Sequence, residues 1–219
     1  MGRHLAVCGS LSGSRWRDGQ VRAVALMLHG GRVTGHEPVT WYQPAVLRVN
    51  WLAQALHRRV RRHGVQVWNL RFGVRGWNGP EASPLADVQW ALDEIEGRVG
   101  RPVVLVGHSM GARTALRAAG APAVRGAVAL APWVPEGEPV AQLADRSVVL
   151  VHGTADRVTD PELTSRYARR IRPVARSVEH HEIPGSGHAM LQSVRRWDSL
   201  TAAGVLDILE IRGSREAVR

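Results

Sequence analysis

One short segment constrains the fold of this chain more than any other. Within residues 103–119, four apolar residues lead into Gly-His-Ser-Met-Gly, and an alanine-rich stretch follows. This order predicts a buried strand that turns sharply through Ser109 into a helix. Such a turn leaves no room for side chains two positions either side of its apex, a demand that Gly107 and Gly111 meet. We therefore expect the Ser109 hydroxyl to lie at the carboxyl end of a sheet, beside the N-terminus of a helix.

The rest of the chain alternates short apolar runs with helical stretches, which is typical of a parallel sheet flanked by helices. The apolar runs are nearly continuous, as in strands buried on both faces. Predicted strands lie at Val24–Leu28, Val65–Leu70, Val103–Val106, Ala127–Leu130, Val148–Val151 and Ser177–Ile183. Predicted helices lie at Val46–His63, Pro84–Val99, Gly111–Ala119, Pro161–Ile171 and Leu191–Leu209. The pattern predicts an α/β fold with a mostly parallel sheet and helices on both faces.

Length and composition favour one domain over residues 1–219, because 44% hydrophobic content is enough for a sizeable core. Residues 1–20 are poorly patterned, and we expect them to form a leading strand at Leu5–Cys8 and a loop. The loop at Ala131–Pro139 is too short to form a cap domain.

The formal charge of +10 comes from a composition in which all 29 basic residues are arginine. We attribute this bias to GC-rich coding, so it is weak support for an anionic partner. The densest basic cluster, His57–His63, ends a predicted helix, where the dipole favours cations, and no aromatic platform accompanies it. We expect no nucleic-acid partner.

No stretch approaches a membrane span, and Cys8 alone cannot form an internal disulfide, so we expect a cytoplasmic protein without a membrane partner. The oligomeric state stays open.

A serine hydroxyl becomes a useful nucleophile only when a histidine takes its proton and an acid orients that histidine. Asp156 follows the predicted strand Val148–Val151, and His188 follows the last predicted strand with Gly185 and Gly187 before it. Both would therefore lie at the carboxyl edge of the sheet, where we expect Ser109.

Each of these residues has a rival in the sequence. Asp160 precedes Pro161 and is typical of a helix N-cap, so we favour Asp156 as the acid. His180 and His181 lie within the last predicted strand and His108 is turned away from Ser109 by the sharp turn, so we expect packing or solvated roles for these histidines.

An oxyanion formed at Ser109 needs two backbone N–H donors. Met110, the next residue, supplies one. The second is expected from the glycine pair that follows the strand Val24–Leu28, with Gly31 as the candidate and Arg32 as the reserve. We expect His29 to hold this loop.

Taken together, His29-Gly30-Gly31, Gly107–Gly111, Gly153–Asp156 and Gly187-His188 resemble the α/β-hydrolase superfamily over nearly the whole chain. The chain is most similar to its small, uncapped bacterial members, such as carboxylesterases and dienelactone-hydrolase-like enzymes. The resemblance implies a catalytic triad of Ser109, Asp156 and His188 with no metal or organic cofactor.

The activity that the resemblance implies is hydrolysis of a carboxylic ester, or of a similar acyl bond in a small-molecule substrate, through an acyl-serine. A thioesterase, an acyltransferase or a C–C hydrolase would use the same triad, and a non-catalytic ligand-binding protein on the same fold is the alternative of another class. The site wall is predicted to include Trp41, Trp77 and Trp133 as apolar surface and Arg71, Arg75 or Arg157 as a partner for a carboxylate.

Overall fold

The computed structural model describes residues 2–8 and 21–211. Seven strands form one sheet in the order β1-β3-β2-β4-β5-β6-β7. The strands are β1 (His4–Val7), β2 (Ala23–Leu28), β3 (Val65–Arg71), β4 (Val103–His108), β5 (Val124–Leu130), β6 (Ser147–Gly153) and β7 (Ser177–Ile183). All pairs are parallel except β1 with β3, which is antiparallel. The predicted α/β fold with a mostly parallel sheet is therefore confirmed.

In the described part of the chain, five α-helices cover both faces of this sheet. They are α1 (Pro44–Val60), α2 (Pro84–Arg98), α3 (Met110–Ala118), α4 (Pro161–Ile171) and α5 (Val194–Ile208). Helices α1 and α5 pack on one face, and α2, α3 and α4 pack on the other. Along β2, Val24 and Leu26 belong to one of the two resulting cores, and Ala25 and Met27 to the other. Burial on both faces explains why the strands are apolar at every position.

The predicted elements are confirmed with small shifts at their ends. One of the three-residue shifts is at α5, which begins at Val194 rather than Leu191. Met190 and Ser193 have positive φ angles of 55° and 56°, so the chain turns before the helix begins. The leading strand is present at His4–Val7, whereas residues 9–20 of the predicted loop lie outside the described residues. The segment between β5 and β6 contains one short 3-10 helix, Ala141–Leu143, and no cap is evident in the part of the chain that the structure describes.

Within the described residues, no helix is both long enough and apolar enough to cross a membrane.

Candidate active site

Ser109 lies at the junction of β4 and α3 in a strained backbone conformation, with φ 57° and ψ −120°. The turn is held by the Ser109 amide, which donates to the Leu130 carbonyl at 3.0 Å. A Cβ at Gly107 would overlap the backbone of Gly111, and one at Gly111 would overlap the Leu28 carbonyl. Both glycines are therefore required by the close approach of strand and helix, as the sequence predicts. A side chain held in this conformation costs about 1–3 kcal/mol, which the packed surroundings must offset.

Asp156 and His188 come from two different loops at the carboxyl edge of the sheet and meet there. Asp156 Oδ2 lies 2.8 Å from Nδ1 of His188. The two loops are joined by the Ala155 amide, which donates to the Ser186 carbonyl at 3.0 Å. Because the carboxylate accepts from Nδ1–H, the other ring nitrogen, Nε2, is left free to accept a proton.

The Asp156 carboxylate is buried and held as an anion. Its Oδ1 accepts from the amides of Val158 at 2.8 Å and Thr159 at 3.0 Å. Burial by itself raises the pKa of Asp156, but these two amides and His188 outweigh it and lower the pKa to about 2. A carboxylate that stays charged near neutral pH can stabilise a positive charge on His188.

A second histidine, which the sequence reasoning missed, contacts the same carboxylate. His152 is fully buried, and its Nε2 lies 3.1 Å from Asp156 Oδ2. Its Nδ1 lies 2.8 Å from the Thr164 hydroxyl. The Thr159 hydroxyl completes the cluster at 2.9 Å from Asp156 Oδ2 and 3.2 Å from His188 Nδ1. The sequence could have indicated this contact, because His152 lies at the end of the strand that Asp156 follows, only four residues before it.

His108 contacts His188 directly, which goes beyond the packing role expected for it. Its Nε2 donates to the His188 carbonyl at 3.0 Å, and the two ring centroids are 4.8 Å apart. Burial and then the neighbouring His188 lower the pKa of His108 to about 3, so this ring is neutral near pH 7. His108 is the residue before Ser109, so this contact links the loop that carries His188 to the turn that carries the serine.

No hydrogen bond joins Ser109 Oγ to the His188 ring among the described residues. A bond between nucleophile and base is often long or poorly aligned until substrate is bound. Ser109 and the Asp156–His188 pair thus lie at the same edge of the sheet, without a hydrogen bond between the serine hydroxyl and the imidazole.

The loop after β2 approaches the serine closely. A Cβ on Gly30 would lie 3.3 Å from Ser109 Cβ, and one on Gly31 would overlap the Met110 side chain. The Arg32 amide, the reserve donor, already donates to the Arg75 carbonyl at 2.9 Å. The amides of Gly31 and Met110 donate none of the turn, loop or cap hydrogen bonds between backbone groups of the described residues. The geometry thus favours Gly31 over Arg32 as the second donor to an oxyanion.

His29 holds this loop, as expected. The Phe72 amide donates to Nε2 at 3.0 Å, so the proton of the neutral ring is on Nδ1, which donates to the Gly30 carbonyl at 2.7 Å. Burial, the largest effect, lowers the pKa of His29 to about 4.

The rival acid, Asp160, caps α4 as expected, since its side chain accepts from the Glu162 amide at 2.9 Å.

Trp77, which the sequence predicts at the site wall, is 3% exposed and belongs to the core. The Arg113 guanidinium lies over both indoles, 4.0 Å from the Trp77 ring centroid and 4.5 Å from that of Trp133. Arg113 also pairs with the buried Glu138 at 2.7 Å. Trp77 and Trp133 therefore pack around a largely buried cation. This cation supplies the counter-charge that the buried Glu138 carboxylate needs.

The other predicted wall residues differ in their surroundings. Arg157 is exposed beside Asp156, and the Arg75 guanidinium lies 2.7 Å from the side-chain amide of Gln43. Trp41 is 69% exposed and lines a cavity together with Arg71. Of the three arginines, Arg71 alone lines that cavity.

Histidine, cysteine and carboxylate side chains of the described residues form no cluster of three or more that could hold a metal ion.

Comparisons with known proteins agree with this architecture. The model of the alpha/beta hydrolase family matches residues 25–147, more than half of the chain. A search of curated proteins finds no match. Among solved structures, a serine hydrolase without a lid from Xanthomonas campestris is 17% identical, with a TM-score of 0.64 over 94% of this chain and 88% of its own.

Two further structures share the fold. Est1E from Butyrivibrio proteoclasticus with bound ferulic acid is 13% identical, with a TM-score of 0.66 over 95% of each chain. A monoacylglycerol lipase from Paleococcus ferrophilus is 14% identical, with a TM-score of 0.62 over 95% of this chain and 100% of its own. The match of the family model, together with this shared fold, shows that the chain belongs to the alpha/beta hydrolase family.

Proposed function

We propose that this chain is a serine hydrolase that cleaves a carboxylic ester, or a similar acyl bond, of a small molecule through an acyl-Ser109 intermediate. The observation that carries the proposal is the 2.8 Å hydrogen bond between Asp156 and His188 at the sheet edge where Ser109 is held in its strained turn. A binding protein would not need a histidine whose Nε2 is left free by a buried carboxylate.

In this mechanism His188 acts twice as a proton carrier. Its Nε2 takes the Ser109 proton as Oγ attacks the acyl carbon, and the amides of Gly31 and Met110 stabilise the oxyanion. The imidazolium, stabilised by Asp156, then gives that proton to the leaving group as the bond to it breaks. Water attacks the acyl-serine with His188 as base, and the acid is released as the Ser109 hydroxyl is restored.

The comparisons support the class of reaction without naming a substrate. Two of the structures that share the fold are described as a serine hydrolase and a lipase. An uncapped site with Ser109 9% exposed is compatible with small acyl substrates that reach it directly from solvent.

The test combines labelling with turnover. Wild-type protein and Ser109→Ala are treated with a fluorophosphonate and examined by intact mass, and both are assayed on p-nitrophenyl acetate, p-nitrophenyl butyrate and the thioester of butyrate. A single adduct and turnover in the wild type, both lost in Ser109→Ala, are expected.

One other outcome would contradict this proposal, and another would identify the type of acyl bond that is cleaved. A folded wild type that neither labels nor turns over any of these esters would contradict the proposal and favour the ligand-binding alternative. Faster turnover of the thioester than of the oxygen ester would assign a thioesterase that uses the same triad.

A further inference from the structure

A cavity of about 220 Å³ opens beside the oxyanion loop, between α1 and the carboxyl ends of β2 and β3. Its wall includes Arg71 and Asn69 of β3, His4 of β1 and Asn50 of α1. Asn69 and Arg71 are two positions apart on one strand, so both side chains lie on the same face of the sheet. In the register of the sheet His4 pairs with Arg71, which brings the polar residues of the wall together.

Among the described residues, Arg71 is the one arginine or lysine of this wall, and none of the Asp or Glu residues lines the cavity. Its half-buried guanidinium makes no hydrogen bond or ion pair with other residues of the described chain. Its Nε is buried and has no acceptor there. A partly desolvated cation without a counter-charge is unfavourable, and an anion bound in the cavity would remove that cost.

His29 lines the same cavity and does not add a second positive charge. The Phe72 amide donates to its Nε2, which keeps the ring neutral near pH 7. Among the described lining residues, this guanidinium is therefore the one group that is charged at every pH, and the other titratable residue, His4, is exposed. This single charge matches a singly charged carboxylate better than a doubly charged phosphate, and the planar guanidinium can bind a carboxylate through two N–H groups.

The register of the sheet gives the separation between the Cα atoms of Arg71 and the serine. Leu28 pairs with Leu70 on one side and with Gly107 on the other, so the three residues lie in one row across the sheet. Arg71 follows Leu70 by one position, and Ser109 follows Gly107 by two. Since strands are about 4.8 Å apart, the Cα atoms of Arg71 and Ser109 are separated by roughly 10 Å across β2.

We propose that the cavity is a subsite for a carboxylate, and that the preferred substrate is an ester that carries a carboxylate group several carbons from the scissile bond. This inference rests on the proposed function, because the distance is measured from Ser109 as the nucleophile. The exposed Trp41 at the cavity wall would cover the apolar carbon chain between the two groups.

The first test compares charged and neutral esters of equal chain length. Monomethyl adipate is compared with methyl hexanoate, and 6-acetoxyhexanoate with hexyl acetate, so that the carboxylate lies on the acyl side in one pair and on the alcohol side in the other. Turnover is followed by proton release. In the wild type at least one anionic ester is expected to exceed its neutral partner in kcat/KM.

Arg71→Gln is expected to remove this preference by lowering kcat/KM for the anionic ester about tenfold or more, chiefly through KM. The neutral ester should change less than twofold. Arg71→Lys keeps the charge and should restore part of the preference. The matched control is Arg101→Gln, which removes the same charge from an exposed position before β4, at the amino edge of the sheet.

A second measurement does not depend on catalysis. Binding of monomethyl adipate and of 6-acetoxyhexanoate is measured by calorimetry on Ser109→Ala and on Ser109→Ala combined with Arg71→Gln. At least tenfold weaker binding in the double variant supports the subsite even if the chain is no hydrolase. Equal binding by the two variants, or an equal effect of Arg71→Gln on charged and neutral esters, would overturn it.

Discussion

His152 donates to the same carboxylate oxygen of Asp156 that accepts from His188. The Nε2 atom of His152 lies 3.1 Å from Asp156 Oδ2, and the Thr164 hydroxyl lies 2.8 Å from Nδ1 of His152. A hydroxyl that donates to Nδ1 leaves the proton of the neutral ring on Nε2, where it faces the carboxylate. Burial lowers the pKa of His152 in spite of the nearby Asp156, which agrees with a neutral ring. His152 is therefore a positioning residue for the acid.

The first prediction concerns this positioning role. His152→Phe removes the donor while keeping a ring, and we expect kcat/KM to fall about ten- to hundredfold, the size of a lost hydrogen bond to a charged group. With one donor fewer, Asp156 stabilises the His188 imidazolium more strongly, so the acid limb of the pH–rate profile should move to higher pH. His152→Gln, whose amide can donate, should recover part of the rate. A rate loss with no movement of the acid limb would indicate a purely structural role.

The second prediction concerns stability at acid pH. In the folded state the pKa of His29 is about 4, against an ordinary 6.5, so the unfolded chain binds the proton more tightly. Stability is therefore complete above pH 6.5 and decreases as the pH falls towards 4. Linkage gives a loss of about 2 kcal/mol from this residue between pH 7 and pH 5. Urea unfolding at the two pH values should show a smaller difference in His29→Asn than in the wild type, and an unchanged difference would contradict the assignment.

The third prediction uses two glycines with opposite surroundings. A Cβ on Gly31 would overlap the Arg75 carbonyl and the Met110 side chain, whereas a Cβ on Gly97 in α2 meets nothing within 4 Å. Gly31→Ala should displace the oxyanion loop and lower kcat about a hundredfold or more, as the loss of one oxyanion donor does. Gly97→Ala should leave kcat unchanged and raise the free energy of unfolding by about 0.5–1 kcal/mol. Full activity in Gly31→Ala would contradict the expectation that this loop must stay in close contact with Met110 for catalysis.

The fourth prediction concerns the cation between the two indoles. Arg113→Met leaves Glu138, 2% exposed, with the longer 3.4 Å pair to Arg117. Removing one partner of a buried ion pair lowers the free energy of unfolding by about 3–5 kcal/mol. Because Arg117 still pairs with Glu138, we expect the loss to be about 3 kcal/mol. Chemical denaturation of Arg113→Met, Glu138→Gln and the double variant should show that the second substitution recovers part of this loss. The control Arg98→Met breaks an exposed pair with Glu94 and should cost less than about 1 kcal/mol.

The alternation of strands and helices along the chain could be predicted from the residues alone, because burial on both faces leaves a continuous apolar run and helical periodicity is a local property. The sequence also identified the turn at Ser109, since the spacing of Gly107 and Gly111 is a steric requirement within five residues. The loops that carry Asp156 and His188 follow from the same logic, because residues after parallel strands meet at one edge of a sheet.

Which side chains share an environment became apparent only from the packing of separate elements. Trp77 was expected at the site wall, but Arg113 lies against it, and that contact joins a loop to a helix more than thirty residues away in the chain. Three further features likewise depend on packing between separate elements. They are the hydrogen bond from His152 to Asp156, the hydrogen bond from the Arg32 amide to the Arg75 carbonyl, and the unpaired charge of Arg71. A local pattern specifies a strand end or a turn, whereas burial and charge pairing arise only when distant segments are brought into contact.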